Sequence, residues 1–326
     1  MTATLPAPAG TGRTEAEGLL LEVAAVADAA PGIRSVTFRL AEGGLLPGFP
    51  PGSHLVLDCD GRRNAYSLTG DGSPSAEYRV SVLLCPDGDG GSAFVHRLRS
   101  GDLVAATGPR SAFAPVSTAR HHVLVAGGIG ITPMLSHARA AARWGRSVEL
   151  LYGHRPGAGA HLADLRELCG ARLSAFESTP ELLDRVRAVL ADSAMGTHVY
   201  VCGPAPLIAF VEETAAALGW PPERVHAERF SAAELDPGRP FTARLARTGT
   251  DVAVPAGTSL LAALEGAGVA VPSMCRQGVC GECRVAVTAG RPLHRDLFLS
   301  ETERAAGESV LCCVSRSLDD ELELDL

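Results

Sequence analysis

Between Ser273 and Val285 the sequence reads SMCRQGVCGECRV, which sets Cys275, Cys280 and Cys283 at a C-x4-C-x2-C spacing. No other feature limits the fold so sharply, because three thiols this close on small residues call for one tight loop around a common centre. With a distant fourth cysteine, this is the spacing of a [2Fe–2S] site. Gly278 and Gly281 permit the close backbone approach that lets amides donate to the sulfides. Zinc is the rival, yet zinc sites more often pair two C-x2-C units or add histidines. Spacing alone leaves the fourth ligand open between the adjacent Cys312 and Cys313.

Cysteine usage elsewhere supports a metal. Of nine cysteines, Cys59, Cys85, Cys169 and Cys202 are scattered, and five lie after residue 270. The start, MTATLPAPAGTGRTEAEG, has neither a basic opening nor an apolar core, so a cytoplasmic chain with a disordered tail over 1–18 is expected. Disulfides are then disfavoured. No apolar run reaches the roughly 18 residues needed to cross a bilayer. A net charge of −8 argues against nucleic-acid binding. All 29 basic residues are arginine, so a lysine nucleophile or Schiff base is excluded.

Three textures follow one another along the 326 residues. Over 19–118, short alternating strands (LLLEVAAVA, IRSVTFRL, SHLVLDC, AYSLT, YRVSVLL, DLVAAT) predict an antiparallel β-barrel, with one helix opening at Gly90-Gly91-Ser92. Over 119–231, strands such as HHVLVAGG and THVYVCGP alternate with helices, predicting an α/β parallel-sheet domain. A linker is expected at 232–239, and a hairpin, a short helix and further strands at 240–326 make a small α+β domain around the cysteine loop.

Two strand-to-helix turns in the middle segment carry glycine. VLVAGGIGITPML places Gly127, Gly128 and Gly130 where backbone can approach a pyrophosphate at a helix start. YVCGPAPLI adds Cys202-Gly203-Pro204, and in a parallel sheet both turns lie at the C-terminal edge, where ligands bind. In the first segment, NAYSL and GGSAFVH form a candidate flavin site, with Tyr66 and Ser67 flanking the ring and the Gly90-Gly91-Ser92 start taking a phosphate.

Ten short motifs, AYSL, GGSAFVH, GPRSAF, AGGIGITPML, YGHR, YVCGP, HAERF, CRQGVCGECRV, HRDLFLSETE and CCVSRS, occur in one order, and on them the chain resembles the phthalate dioxygenase reductase family. The resemblance implies an FMN barrel, an NADH domain and a C-terminal plant-type ferredoxin of β-grasp fold. Asn64, Ala65, Tyr66, Ser67, Ser81, Val82, Leu83, Gly91, Ser92 and Ala93 would line FMN. Gly127, Gly128, Ile129, Gly130, Thr132, Pro133, Arg155, Cys202, Gly203 and Pro204 would serve NADH. Ser67, Thr132, Cys202 and Phe230 would be the catalytic positions against flavin and nicotinamide. Cys275, Cys280, Cys283 and Cys313 would hold the [2Fe–2S] cluster, because the last ligand in the family directly precedes VSR. A regular strand there would turn Cys312 away. Asp296 and Arg276 would be cluster-loop or domain contacts.

The implied activity is NADH-dependent electron transfer through FMN and the cluster to a terminal oxygenase, a Rieske non-haem iron enzyme, by a cytoplasmic monomer. A cytochrome P450 or other haem oxygenase as partner, or a redox-sensing iron–sulfur interaction protein, are the alternatives. The sequence departs from the family where Asn64 replaces an arginine of the flavin motif, so a phosphate cation is absent there or comes from Arg62, Arg79 or Arg110. Cys59, Cys85 and Cys169 are expected to pack as small hydrophobes, His121 to cap a strand, and His96 to order the first helix.

Overall fold

The computed structural model describes residues 18–326 apart from 87, 89, 112, 231–235, 274, 275, 277, 279, 280 and 297. Residues 1–17 of the tail expected over 1–18, part of the linker, and Cys275 and Cys280 therefore lie outside the described residues, while Gly18 already belongs to the first strand. Among the described residues no helix is long and apolar enough to cross a membrane.

The first sheet comprises β1 (Gly18–Ala30), β2 (Ile33–Leu40), β3 (Ser53–Cys59), β4 (Arg62–Ser67), β5 (Tyr78–Leu83) and β6 (Leu103–Ser111), with helix α1 (Gly91–Arg97) before β6. Neighbours pair antiparallel in the order β4-β3-β6-β1-β2-β5, and a bridge from Leu68 to Val80 joins the two ends into a barrel. Val36, Phe38, Leu55, Leu57, Leu68, Tyr78 and Val80 fill it. The β3–β4 hairpin turns on Asp60-Gly61, both at positive φ (56° and 83°), the geometry that Asp-Gly favours in two-residue hairpins. That turn fixes the register Leu57↔Asn64 and Leu55↔Tyr66. The C-terminal end of helix α1 is held by side chains: His96 Nε2 donates to Val82 O (2.9 Å), and Arg34 donates to the carbonyls of His96 and Leu98 (2.9 Å each).

The second sheet is parallel: β7 (His121–Gly127), β8 (Val148–Gly153), β9 (Leu173–Phe176), β10 (Thr197–Cys202) and β11 (Val225–Glu228), in the order β11-β10-β7-β8-β9. Helices α2 (Ile131–Arg143), α3 (Leu162–Cys169), α4 (Thr179–Asp192) and α5 (Ala205–Ala217) connect the strands and bury both faces of the central ones, which is why Val123–Ala126, Leu150–Tyr152 and Val199–Cys202 are unbroken apolar runs. One face of α2 docks on the barrel. Ser136 Oγ donates to Gly70 O (2.7 Å), Arg139 to Thr69 O (2.7 Å), and His137 Nε2 to Phe113 O (2.9 Å). His121 meets Ser147 Oγ (2.8 Å) at the foot of its strand. Cys59 and Cys169 are buried, whereas Cys85 is exposed and does not pack as a core residue.

Burial holds several histidines neutral. It pushes His137 down to about 3, and His54 and His226 down to about 4. Their folded values lie below the ordinary histidine value near 6.5, so the unfolded chain binds more protons in between. The stability they confer is complete above pH 6.5 and falls as pH drops towards 4. We expect the urea midpoint to decline as pH falls below 6.5, where three histidines outweigh any single carboxyl; a midpoint unchanged at pH 5 would contradict this assignment.

The last domain holds β12 (Phe241–Leu245), β13 (Thr250–Val254), α6 (Leu260–Gly266), β14 (Arg284–Ala289), β15 (Pro292–Leu293), α7 (Glu301–Ala306), β16 (Ser309–Leu311), β17 (Arg316–Ser317) and β18 (Glu321–Leu324). Its main sheet runs β13-β12-β18-β14-β16, with β18 parallel to β12 and α6 packing Leu260, Leu261 and Leu264 beneath it. Helix α7 opens on Ser300-x-x-Glu303, which forms a complete capping box. Buried Arg316 donates to the carbonyls of Arg239, Pro255 and Thr258 and lies over the Phe241 ring. Arg316→Met strands those three acceptors, and we expect a loss of about 3 kcal/mol in chemical denaturation.

Candidate active site

Strand order in the parallel sheet reverses between β7 and β10, and the crevice beyond their C-terminal ends is the place such sheets bind ligands. The two turns there pack backbone on backbone. A Cβ on Gly130 would lie 2.2 Å from Cys202 O, and one on Gly203 would lie 2.9 Å from Gly127 N. Gly128, at φ 55°, faces open space. Thr132 is buried and donates to Ile129 O (3.0 Å), and Pro133 lies in the first turn of α2. Pro204 precedes α5, so Cys202-Gly203-Pro204 and Gly127–Gly130 form two walls of one crevice.

Strand β5 of the barrel touches the Gly128–Gly130 turn, which brings the candidate flavin strands to the mouth of that crevice. Ser81 and Leu83 face the parallel-sheet domain. Ser81 Oγ shares hydrogen bonds with Ser35 Oγ (2.7 Å) and His161 Nε2 (2.9 Å), and Leu83 joins an apolar cluster with Ile129. Val82 points into the barrel core and Ala65 is exposed on the other face of β4, so both can meet a ligand through backbone alone. Tyr66 is half-buried and Ser67 buried. Asn64 abuts the start of α1, since a Cβ on Gly91 would lie 2.5 Å from its carboxamide. Ser92 Oγ accepts from Cys85 N (3.0 Å), and Ala93 follows it in the same turn of helix.

The arginines expected to replace the missing cation are committed elsewhere in part. Arg79 donates to Thr37 Oγ1 (3.2 Å), and Arg110 binds Glu282 in the cysteine loop. Arg155 is exposed beyond β8, one strand from the crevice. Phe230 is 42% exposed just past β11, where Arg229 grips Glu212 with two hydrogen bonds of 2.8 and 2.7 Å.

Glu228 is a residue that sequence reasoning missed. It ends β11 in register with Cys202, and its enclosed Oε2 has no hydrogen-bond partner. Burial pushes its carboxyl up to about 8. Burial first, and then the Glu228 charge, raise the Cys202 thiol well above its ordinary value, so both groups are protonated at neutral pH. The sequence marks it only as the carboxylate that ends the half-buried edge strand in HAERF.

In the last domain Cys283 and Cys313 are both buried. Gly278 and Gly281 take positive φ (75° and 77°). A Cβ on Gly278 would lie 2.6 Å from Val314 Cγ2, and one on Gly281 would lie 2.4 Å from the Phe298 ring. The loop is thus wrapped tightly enough that only glycine fits at either place. Cys312 and Cys313 lie in the turn after β16 rather than on a regular strand, so alternation does not separate them. Cys312 N donates to Cys283 O (3.1 Å). The buried Asp296 carboxylate accepts from Leu299 N (2.8 Å) and Ser315 Oγ (3.3 Å) beside Gly278, while Arg276 pairs with Glu265 of its own domain (2.7 Å). Soft thiols in a glycine-lined loop suit an iron–sulfur cluster.

The family model for the dimethylamine monooxygenase subunit DmmA-like N-terminal domain matches residues 104–225, and that for the 2Fe-2S iron-sulfur cluster binding domain matches 244–318. The chain is 43% identical over 309 residues to the heme-dependent oxidative N-demethylase beta subunit of Ectopseudomonas mendocina, covering 94% of this chain and 98% of that one. The solved structure of phthalate dioxygenase reductase, described as modular for electron transfer from pyridine nucleotides to [2Fe-2S], superposes with a TM-score of 0.73 at 36% identity, covering 95% and 98%. An intact type IV self-sufficient cytochrome P450 monooxygenase superposes with a TM-score of 0.78 at 35% identity, and there the match spans 95% of this chain but 41% of the longer one.

Proposed function

The chain belongs to the phthalate dioxygenase reductase family, and on that premise we propose how its residues serve electron transfer. It is an NAD(H)-dependent flavin and iron–sulfur oxidoreductase that passes electrons from NADH through FMN and a [2Fe–2S] cluster to an oxygenase component. When bound, these groups supply the chemistry: hydride from NADH, two-electron uptake and one-electron release by FMN, and one-electron carriage by the cluster.

The observation that supports the reading is the meeting of β5 with the Gly128–Gly130 turn, across which a flavin on the barrel would face a nucleotide bound at the two glycine turns. Gly127, Gly128, Ile129, Gly130, Thr132, Pro133, Gly203 and Pro204 would hold the dinucleotide, and exposed Arg155 its adenosine half. Asn64, Tyr66, Ser67, Ser81, Leu83, Gly91, Ser92 and Ala93, with the backbone of Ala65 and Val82, would hold FMN. Cys202 would stand against the reacting nicotinamide as a neutral thiol, and Thr132 and Ser67 would fix the facing rings. Phe230 would cover the flavin and exclude water. Cys275, Cys280, Cys283 and Cys313 would carry the cluster. With neutral Asn64 at the start of α1, FMN phosphate meets less positive charge than an arginine would give.

Acid release of the flavin should yield FMN, and purified protein with NADH should reduce both ferricyanide and cytochrome c. FAD in the extract, or no turnover with either acceptor, would sink the reading. For the partner, the reading is a Rieske non-haem iron oxygenase served by a cytoplasmic monomer, and the net charge of −8 supports no nucleic-acid role. A haem oxygenase is the second reading, favoured by the haem-dependent relative at 43% identity and the P450 match. Mixing reduced protein with each oxygenase type separates them: bleaching of a Rieske centre supports the first, and ferrous haem trapped by carbon monoxide the second.

A further inference from the structure

The barrel and the cysteine loop meet in an ion pair, the Arg110 guanidinium on the Glu282 carboxylate, between residues 172 apart in sequence. The two side chains keep 28% and 25% of their exposure, so the contact is shielded more than an ordinary surface pair. On the barrel side, β6 sets Arg110 opposite His54, and β3 sets His54 opposite Ser67. The pair is therefore anchored two strands from the Tyr66-Ser67 motif. His54 is neutral at working pH, held down to about 4 by burial and then by the Arg110 charge, so it offers no counter-charge. On the other side, Glu282 sits between Gly281, which packs under the Phe298 ring, and Cys283, whose carbonyl is tied to Cys312 N. The backbone on both sides of Glu282 is thus held in place.

We infer that the Arg110–Glu282 ion pair is the positioning contact that sets the separation of flavin and cluster, and with it the rate at which electrons cross between the two domains. The inference rests on the flavin-to-cluster reading above. Each NADH brings two electrons and the cluster accepts one at a time, so this boundary is crossed twice per NADH, with no bond made or broken there. Electron transfer falls steeply with separation, so a small displacement of the loop slows the crossing while hydride uptake on the far side of the barrel is untouched.

The test uses the full holoprotein and Glu282→Gln. Stopped-flow absorbance follows flavin reduction by NADH and then cluster reduction, and hydrogen exchange follows the amides of β6 and of 281–285. We expect flavin reduction and ferricyanide turnover at the wild-type rate, cluster reduction slowed about tenfold, and faster exchange at the end of β6. The double exchange Arg110→Glu with Glu282→Arg should recover most of the cluster rate, which a loss of folding would not allow. Wild-type cluster reduction in an iron-replete Glu282→Gln protein overturns the inference, as does a charge exchange no faster than Glu282→Gln. If Glu282→Gln loses iron, Arg110→Gln leaves the loop sequence intact and carries the same expectation for cluster reduction; an unchanged rate there overturns it equally. Unaltered protein whose flavin NADH cannot reduce would overturn the underlying reading, and the inference with it.

Discussion

Cys283→Ser is expected to lower NADH-driven cytochrome c reduction about a hundredfold or more while leaving ferricyanide reduction within about twofold. The side chain is buried in a loop whose glycines leave no slack, so a serine oxygen must replace a soft thiolate without any rearrangement that could compensate. Ferricyanide takes electrons from the flavin directly, and nothing near the crevice changes. The same assay discriminates the adjacent pair. Cys313→Ser should remove the cluster's visible absorption and Cys312→Ser should keep it. Because both residues lie in the turn after β16, this choice rests on the family pattern, and loss of the cluster in Cys312→Ser alone would reverse it. Equal turnover of both acceptors in Cys283→Ser would remove the cluster from the exit route.

Gly130→Ala should be the most damaging methyl group in the nucleotide domain. Gly130 has an ordinary helical φ of −61°, so the cost is steric rather than conformational. The new Cβ would lie 2.2 Å from Cys202 O and 2.5 Å from Cys202 C, both backbone atoms with β10 behind them. The two crevice walls must part, and we expect a stability loss of about 1–3 kcal/mol and flavin reduction slowed at least about tenfold with a raised KM for NADH. Gly128→Ala is the control. Its Cβ meets nothing within 4 Å, but its φ of 55° costs a non-glycine residue about 1 kcal/mol, so stability should fall slightly with the crevice intact. Wild-type NADH kinetics in Gly130→Ala would mean that the crevice is not the nucleotide site.

Glu228 adds a pH signature to the same place. Its folded value of about 8 lies above the ordinary carboxyl value, so the unfolded chain releases the proton first. Its protonated form is accommodated below about pH 4.5, and the penalty for keeping it buried grows as pH rises from there to 8. Glu228→Gln should therefore stabilise the protein at pH 8 more than at pH 5.

Local chemistry accounts for what could be read in the chain. Asp60-Gly61 determines a hairpin register, continuous apolar runs mark the strands of the parallel sheet, and the cysteine spacing prescribes one tight loop. Each of these is settled by residues within a dozen positions of one another. The resemblance of ten ordered motifs then assigned the domains their cofactors.

What only the tertiary structure decided involves partners far apart in sequence. Ser81 is tied to His161 across the domain boundary, Glu228 lies beside Cys202 on a neighbouring strand, and Arg110 is spent on Glu282 rather than left for a phosphate. Cys312 and Cys313 look like strand residues by composition, yet the chain turns there, with Val314 N and Ser315 N both donating to Leu311 O, while Cys312 is tied to Cys283 and Leu261. Periodicity and spacing report the backbone's own preferences, whereas burial, counter-charges and the ties between loops arise when separate segments exclude water from each other. SMCRQGVCGECRV by itself calls for a thiol-lined loop; which barrel strand that loop rests on is decided by a carboxylate within it and an arginine 172 residues away.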